Sequence, residues 1–226
     1  MTSIRVAERF VIPFLGHSGI AADDTRRDSL VDALVSVFLE EGFRHLSLND
    51  MARRLHCSKS TLYLIASSKE RIIVAVVRRF FRRAAERVER RVELSPVGSI
   101  ERLQTYMSAI STELAPVSGA LFADVDAFPA AREIYQLNTV LAARRVQELV
   151  IDAVPATSRD RAVFIGAVAA QTMEAIHRGE IGASTGLGDS AAYRALSDLI
   201  VAATDTDSEI HRGHADRRAT IARSER

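Results

Sequence analysis

Apolar residues recur at three- and four-residue spacings along almost the whole chain, and no alternating run of β-branched residues closed by Asn-Gly or Asp-Gly interrupts them. That periodicity predicts an all-α protein. Its 226 residues, 47% apolar and 26% charged, suffice for one large domain or two small ones. A single cysteine, Cys57, excludes an internal disulfide and a thiolate metal cluster, so a stapled secreted scaffold and a structural zinc finger drop out. No apolar run approaches the ~18–20 residues of a membrane span. A reducing, cytoplasmic home with no membrane partner is expected.

Local signals divide the chain. Residues 28–41 carry a broad apolar face built from Leu30, Val31, Leu34, Val35, Phe38 and Leu39, and Gly42 supplies the C-terminal stop. Ser47 with Asp50 three positions on predicts a capped second helix running to about Leu55. Ser58 predicts a third from Lys59 to about Ile65, and Ser68 a long fourth reaching about Arg91. Beyond the break at Pro96, Gly98 and Ser99, helices are expected at about 100–114, 118–124, 129–153, 158–179 and 189–204, with a glycine-rich loop over 179–188. Residues 1–26 read as an N-terminal arm, 27–72 as a helix-turn-helix domain, 73–204 as a helical effector and dimer domain, and 205–226 as a disordered tail.

Formal charge totals +1, but residues 1–90 hold 16 Lys and Arg against 11 Asp and Glu, and the remainder 14 against 18. A basic front half next to an acidic remainder suggests a nucleic-acid or other anionic partner for the front. Two short helices separated by His56-Cys57-Ser58 after a longer one fit a helix-turn-helix. The second would present small polar and basic residues at its N-terminal end, where backbone N–H groups face phosphate and side chains reach base edges. Lys59, Ser60, Thr61 and Tyr63 supply them, while Leu55 and Leu62 would pack against Leu34, Phe38, Leu46 and Leu48.

The stretch Ser58-Lys59-Ser60-Thr61-Leu62-Tyr63, followed by Ser67-Ser68-Lys69-Glu70, resembles the recognition-helix signature of TetR-type transcriptional repressors. Phe38-Leu39-Glu40-Glu41-Gly42-Phe43 is similar to the end of their first helix, so the resemblance covers roughly residues 27–75. It implies a homodimer that represses transcription from a palindromic double-stranded DNA operator and is released by a small, mostly apolar effector. The implied DNA-contact set is Arg27, Ser47, Ser58, Lys59, Ser60, Thr61, Tyr63 and Lys69. Four positions depart from the family: His56 replaces a turn glycine, Leu64 and Ile65 stand where polar or aromatic side chains are usual, and Ala66 replaces a phenylalanine.

An effector pocket is expected among Tyr106, Met107, Phe122, Phe128, Tyr135, Asn138, Phe164, Gln171 and Met173, with Asn138 or Gln171 as the polar orienter. Small and aliphatic residues on the last two long helices predict a dimer interface through Ala162, Ile165, Gly166, Ala169, Met173, Ala192, Leu196, Leu199 and Ile200. The arginines of the fourth helix read as a solvated face paired to Glu86 and Glu89, and Cys57 as a small buried turn residue. The histidines do not cluster, Asp124 and Asp126 would diverge on a helix, and no nucleophile-base set stands out. No cofactor, metal or enzymatic activity is therefore expected. The rival reading is a small helical enzyme or ligand carrier without DNA binding.

Overall fold

The computed structural model describes residues 21–155 and 157–204, and every regular element among them is helical. In chain order these are α1 (Ala21–Glu41), α2 (Leu48–Arg54), α3 (Lys59–Leu62), α4 (Lys69–Val92), α5 (Ile100–Leu114), α6 (Gly119–Ala127), α7 (Pro129–Ala153), α8 (Arg159–His177), α9 (Glu180–Thr185) and α10 over residues 189–204. Two elements differ from expectation. Helix α1 begins at Ala21, inside the segment read as an arm; residues 1–20 and the tail 205–226 lie outside the described residues. The loop expected over 179–188 contains α9, which left-handed glycines bracket at Gly179 (φ 73°) and Gly186 (φ 75°). Ser184 and Thr185 turn their hydroxyls back onto the carbonyls of Glu180 and Ile181, and Ile181 packs on the second core.

The chain forms two compact units, with borders inside α4, inside α7 and in the connection between α5 and α6. Residues 21–87 join 116–136, and 88–115 join 137–204, so the division differs from a single cut after residue 72. In the first unit Leu34, Phe38, Phe43, Leu46, Met51, Leu62 and Ile72 are almost fully buried in one core. Phe43 stands at its centre, 5.3 Å from the Phe38 ring and 5.9 Å from Phe128 at an edge-on angle. The α4 arginines pair both along their own helix, Arg82 with Glu86, and across to α1. Arg79 donates to Asp32 (2.9 Å) and Asp28 (3.1 Å) of α1, and Arg83 also reaches Asp32 (2.8 Å). Burial works to raise the Asp32 carboxyl, yet these guanidiniums outweigh it and hold the group below its ordinary range.

The second unit encloses Leu103, Tyr106, Met107, Val146, Leu149, Val150, Ala162, Ala169, Met173, Ile176, Tyr193, Leu196 and Ile200. Helices α7 and α8 approach closely at Gly166, where a Cβ would lie 2.7 Å from the Ala143 carbonyl oxygen and 2.5 Å from Gln147 Cγ. Arg145 holds Glu89 through two bonds of 3.0 Å, a half-shielded fork that ties α7 to the end of α4. His177 Nε2 lies 2.7 Å from the Tyr193 hydroxyl, and burial pushes the imidazole down to about 4.

Two measurements test this packing. Gly166→Ala forces backbone or side chain to yield and is expected to destabilise the protein by about 1–3 kcal/mol, read as a lower denaturation midpoint. An unfolded chain takes up the His177 proton near pH 6.5, whereas the folded one resists until about 4. This contribution is therefore intact above pH 6.5 and is lost as pH falls from there toward 4, by about 3 kcal/mol in all. Urea midpoints at pH 7 and pH 5 should differ in the wild type and differ less in His177→Gln.

Candidate nucleic-acid interface

The site is built on two caps. Ser47 and Asp50 form a reciprocal capping box at α2: the Ser47 N–H donates to Asp50 Oδ2 at 2.9 Å, and the Asp50 N–H to Ser47 Oγ at 3.2 Å. Hydrogen bonds from Ser47 hold the Asp50 carboxyl below its ordinary range. Ser58 accepts from the Thr61 N–H (3.2 Å) and shares hydroxyl hydrogen bonds with Ser60 (2.6 Å) and Thr61 (2.8 Å). Between the caps, His56 takes φ 50°, the left-handed value that explains why a glycine suits this position. Helix α3 is four residues long and ends sooner than the spacing predicts. The Leu64 and Ile65 N–H groups then bond the carbonyls of Thr61 and Leu62, tightening the chain into a three-residue repeat.

Side chains around α3 separate cleanly. Leu62 is completely buried and Ile65 is 4% exposed, which seats the helix on the first core. Lys59 and Ser60 are exposed, and Tyr63 is half exposed. Neither the Lys59 ammonium nor the Tyr63 hydroxyl has a hydrogen-bond partner among the described residues. A cation, a hydroxyl and a phenol thus stand on one short helix and its C-terminal cap, the set needed to meet phosphate and base edges.

Other residues of the expected contact set also hold the fold. Ser47 and Ser58 cap, Arg27 Nε donates to the Ile65 carbonyl (3.4 Å), and Lys69 Nζ donates to the Arg44 carbonyl (3.1 Å). Cys57 is half-buried in the turn, and burial raises its thiol while Arg26 pulls the other way. A residue that spacing did not single out for this region is Asp124 of α6. Its Oδ2 accepts from the N–H groups of Phe43 (2.6 Å) and Arg44 (2.8 Å). No local pattern foretells a bond across eighty positions.

The expected effector residues fall in different places. Tyr106, Met107 and Met173 are buried in the second core, Phe122, Phe128 and Tyr135 belong to the first, Asn138 is half-buried, and Phe164 and Gln171 are exposed. Phe122 lines an apolar cleft between α1, α4 and α6 with Phe38, Val76, Phe80, Phe81 and Leu121. It encloses about 10 Å³, room for roughly one water and far below the ~300 Å³ at which ligand pockets begin. The expected dimer residues, Leu199 apart, turn into the second unit, where Gly166 lets α7 and α8 close on one another and the larger side chains fill the core. The apolar side chains left outside on α8 and α10 are Val163, Phe164 (68% exposed), Val168 and Leu199 (69% exposed).

Among the described residues no group of His, Cys, Asp and Glu could hold a metal ion, and no helix is long and apolar enough to cross a membrane. Residues 30–76 match the bacterial regulatory proteins of the tetR family. No curated protein matches the chain in sequence. Among solved structures, a transcriptional regulator from Rhodococcus sp. Rha1 superposes with a TM-score of 0.59 at 19% identity, over 77% of this chain and 93% of that one. A TetR-family transcriptional regulator from Streptomyces coelicolor gives 0.58 at 15% identity, over 84% and 98%. Another, from Thermus thermophilus, gives 0.52 at 19%, over 76% and 96%. Residues 30–76 are a tetR-family helix-turn-helix domain, and the chain has the fold of the TetR-family transcriptional regulators.

Proposed function

We propose that this protein represses transcription in the cytoplasm by binding a palindromic operator as a homodimer, each subunit laying α3 in the major groove. The observation that carries this reading is the α3 surface: Leu62 is buried beneath it while Lys59, Ser60 and Tyr63 face outward, the Lys59 ammonium and the Tyr63 hydroxyl with no partner among the described residues. Lys59 meets phosphate or a guanine edge, Tyr63 donates to phosphate, and Ser60 is short enough to allow close approach. The modest positive excess of the first 90 residues favours a few placed contacts over bulk charge. Two-fold symmetry then calls for half-sites about 34–36 Å apart, or a multiple of that.

Dimerisation is assigned to the outer face of α8 and α10, where Val163, Phe164, Val168 and Leu199 leave apolar surface in water. A small apolar effector fits the sparse charge of the expected pocket residues. The first-unit cleft is too tight to admit it without opening, so effector binding involves movement of the helices around it. Such a protein carries out no catalysis and needs no cofactor.

Selection of random duplexes should enrich one palindromic sequence; recovery of none would overturn the DNA-binding reading. On the enriched duplex, Lys59→Ala should weaken binding and reduce the slope of log affinity against log salt by about 1, and an unchanged slope with unchanged preference would remove Lys59 from the interface. Phe164→Glu should convert a dimer to a monomer in light scattering. A mass unaltered by the charge would place the subunit interface elsewhere.

A further inference from the structure

We propose that Asp124 is a positioning residue for DNA reading, holding the turn between α1 and α2 and through it the placement of α2 and α3. The inference rests on the DNA-binding reading above and adds a residue outside the helix-turn-helix.

The geometry at the turn is specific. Gly42 ends α1 with φ 78°, and the next two N–H groups, of Phe43 and Arg44, converge on one oxygen, Asp124 Oδ2, at 2.6 and 2.8 Å. Successive backbone N–H groups after a left-handed residue form a concave site for an anionic oxygen, and here a side chain of the same unit fills it. The fit requires glycine: a Cβ at position 42 would lie 2.5 Å from Asp124 Oδ2 and 3.2 Å from the Ala120 carbonyl. The opposite side of the turn is also held, because Lys69 Nζ donates to the Arg44 carbonyl at 3.1 Å. A second bond, from the Ser118 N–H to the Leu39 carbonyl at 2.9 Å, fixes the entry of α6 against the exit of α1.

The turn sets where α2 begins. Phe43 is fully buried between Phe38 and Phe128, Leu46 is 2% exposed, and Ser47 begins the cap of α2. A turn released from Asp124 leaves the start of α2 to the packing of Phe43 and Leu46 and to the single Lys69 bond at the Arg44 carbonyl, and α3 comes after α2 by one short turn. The carboxylate also has a charge that separates an electrostatic role from a positioning one. An acid near DNA repels phosphate, so neutralising it tightens binding if its effect is purely electrostatic. Neutralising it weakens binding if it positions the reader.

The test compares Asp124→Ala and Asp124→Asn with Asp126→Asn, which removes the same charge two residues on. With the full-length protein and a duplex enriched by selection, Asp124→Ala is expected to bind about tenfold more weakly. Asp124→Asn, which keeps an uncharged acceptor, should fall between it and the wild type. The salt slope should not change, since no phosphate contact is lost, and Asp126→Asn should not weaken binding. Amide hydrogen exchange provides a readout independent of DNA. Protection should fall at Phe43, Arg44 and along α2 while that of Leu149 and Val150 in the second unit is kept. Equal or tighter DNA binding by both Asp124 variants, or unchanged exchange across the turn and α2, would overturn the proposal. If Asp124→Ala does not fold, Asp124→Asn carries both readouts. If the wild type enriches no duplex, the DNA reading fails while exchange still decides whether Asp124 holds α2.

Discussion

A helix of four residues has no stability of its own, because forming its first turn fixes several dihedral angles for a single hydrogen bond. That α3 exists depends on Leu62, which is wholly buried among Leu34, Phe38, Phe43, Leu46 and Ile72. Burying one leucine contributes about 1.5–3 kcal/mol, and the Ser58 cap adds about 1. The polar side of α3 has none of this support. Lys59 and Tyr63 are held in place only through the backbone that Leu62 anchors, so the reading surface is as well ordered as the core beneath it.

Charge is arranged to serve that surface sparingly. The front half of the chain is basic in sum, yet Arg79 and Arg83 are occupied by Asp28 and Asp32, Arg53 by Asp50, and Arg54 by Glu41. Most of these pairs are at least partly exposed and each adds little stability. Their consequence is electrostatic: they remove cations from the sum available to an anionic partner. Lys59, with no partner among the described residues, belongs to the +5 excess that remains once those acids are counted.

In the second unit the same small residues that invite close helix approach are consumed by the fold. Gly166 admits the Ala143 carbonyl and Gln147 at distances no side chain would allow, and Ala162 and Ala169 are fully buried beside it. A helix has two sides, and a run of alanines with one glycine does not state which side meets its own chain and which a second copy. The larger apolar residues Phe164 and Leu199 remain outside.

Much of this protein was legible in the linear chain because its signals are local. Periodicity showed helices, Pro129 and the serines at 47, 58 and 68 marked their starts, Gly42 marked an end, and Ser58 to Tyr63 carried the family resemblance. His56 at a left-handed turn was visible as a missing glycine. What tertiary structure alone decided are matters of distance along the chain: Asp124 reaching the N–H groups of Phe43 and Arg44, Arg79 turning to α1 rather than along α4, and 116–136 joining the first unit. Local sequence determines helices and caps because their partners lie within four residues; the choice of packed face depends on residues tens of positions away, whose meeting only the folded chain brings about.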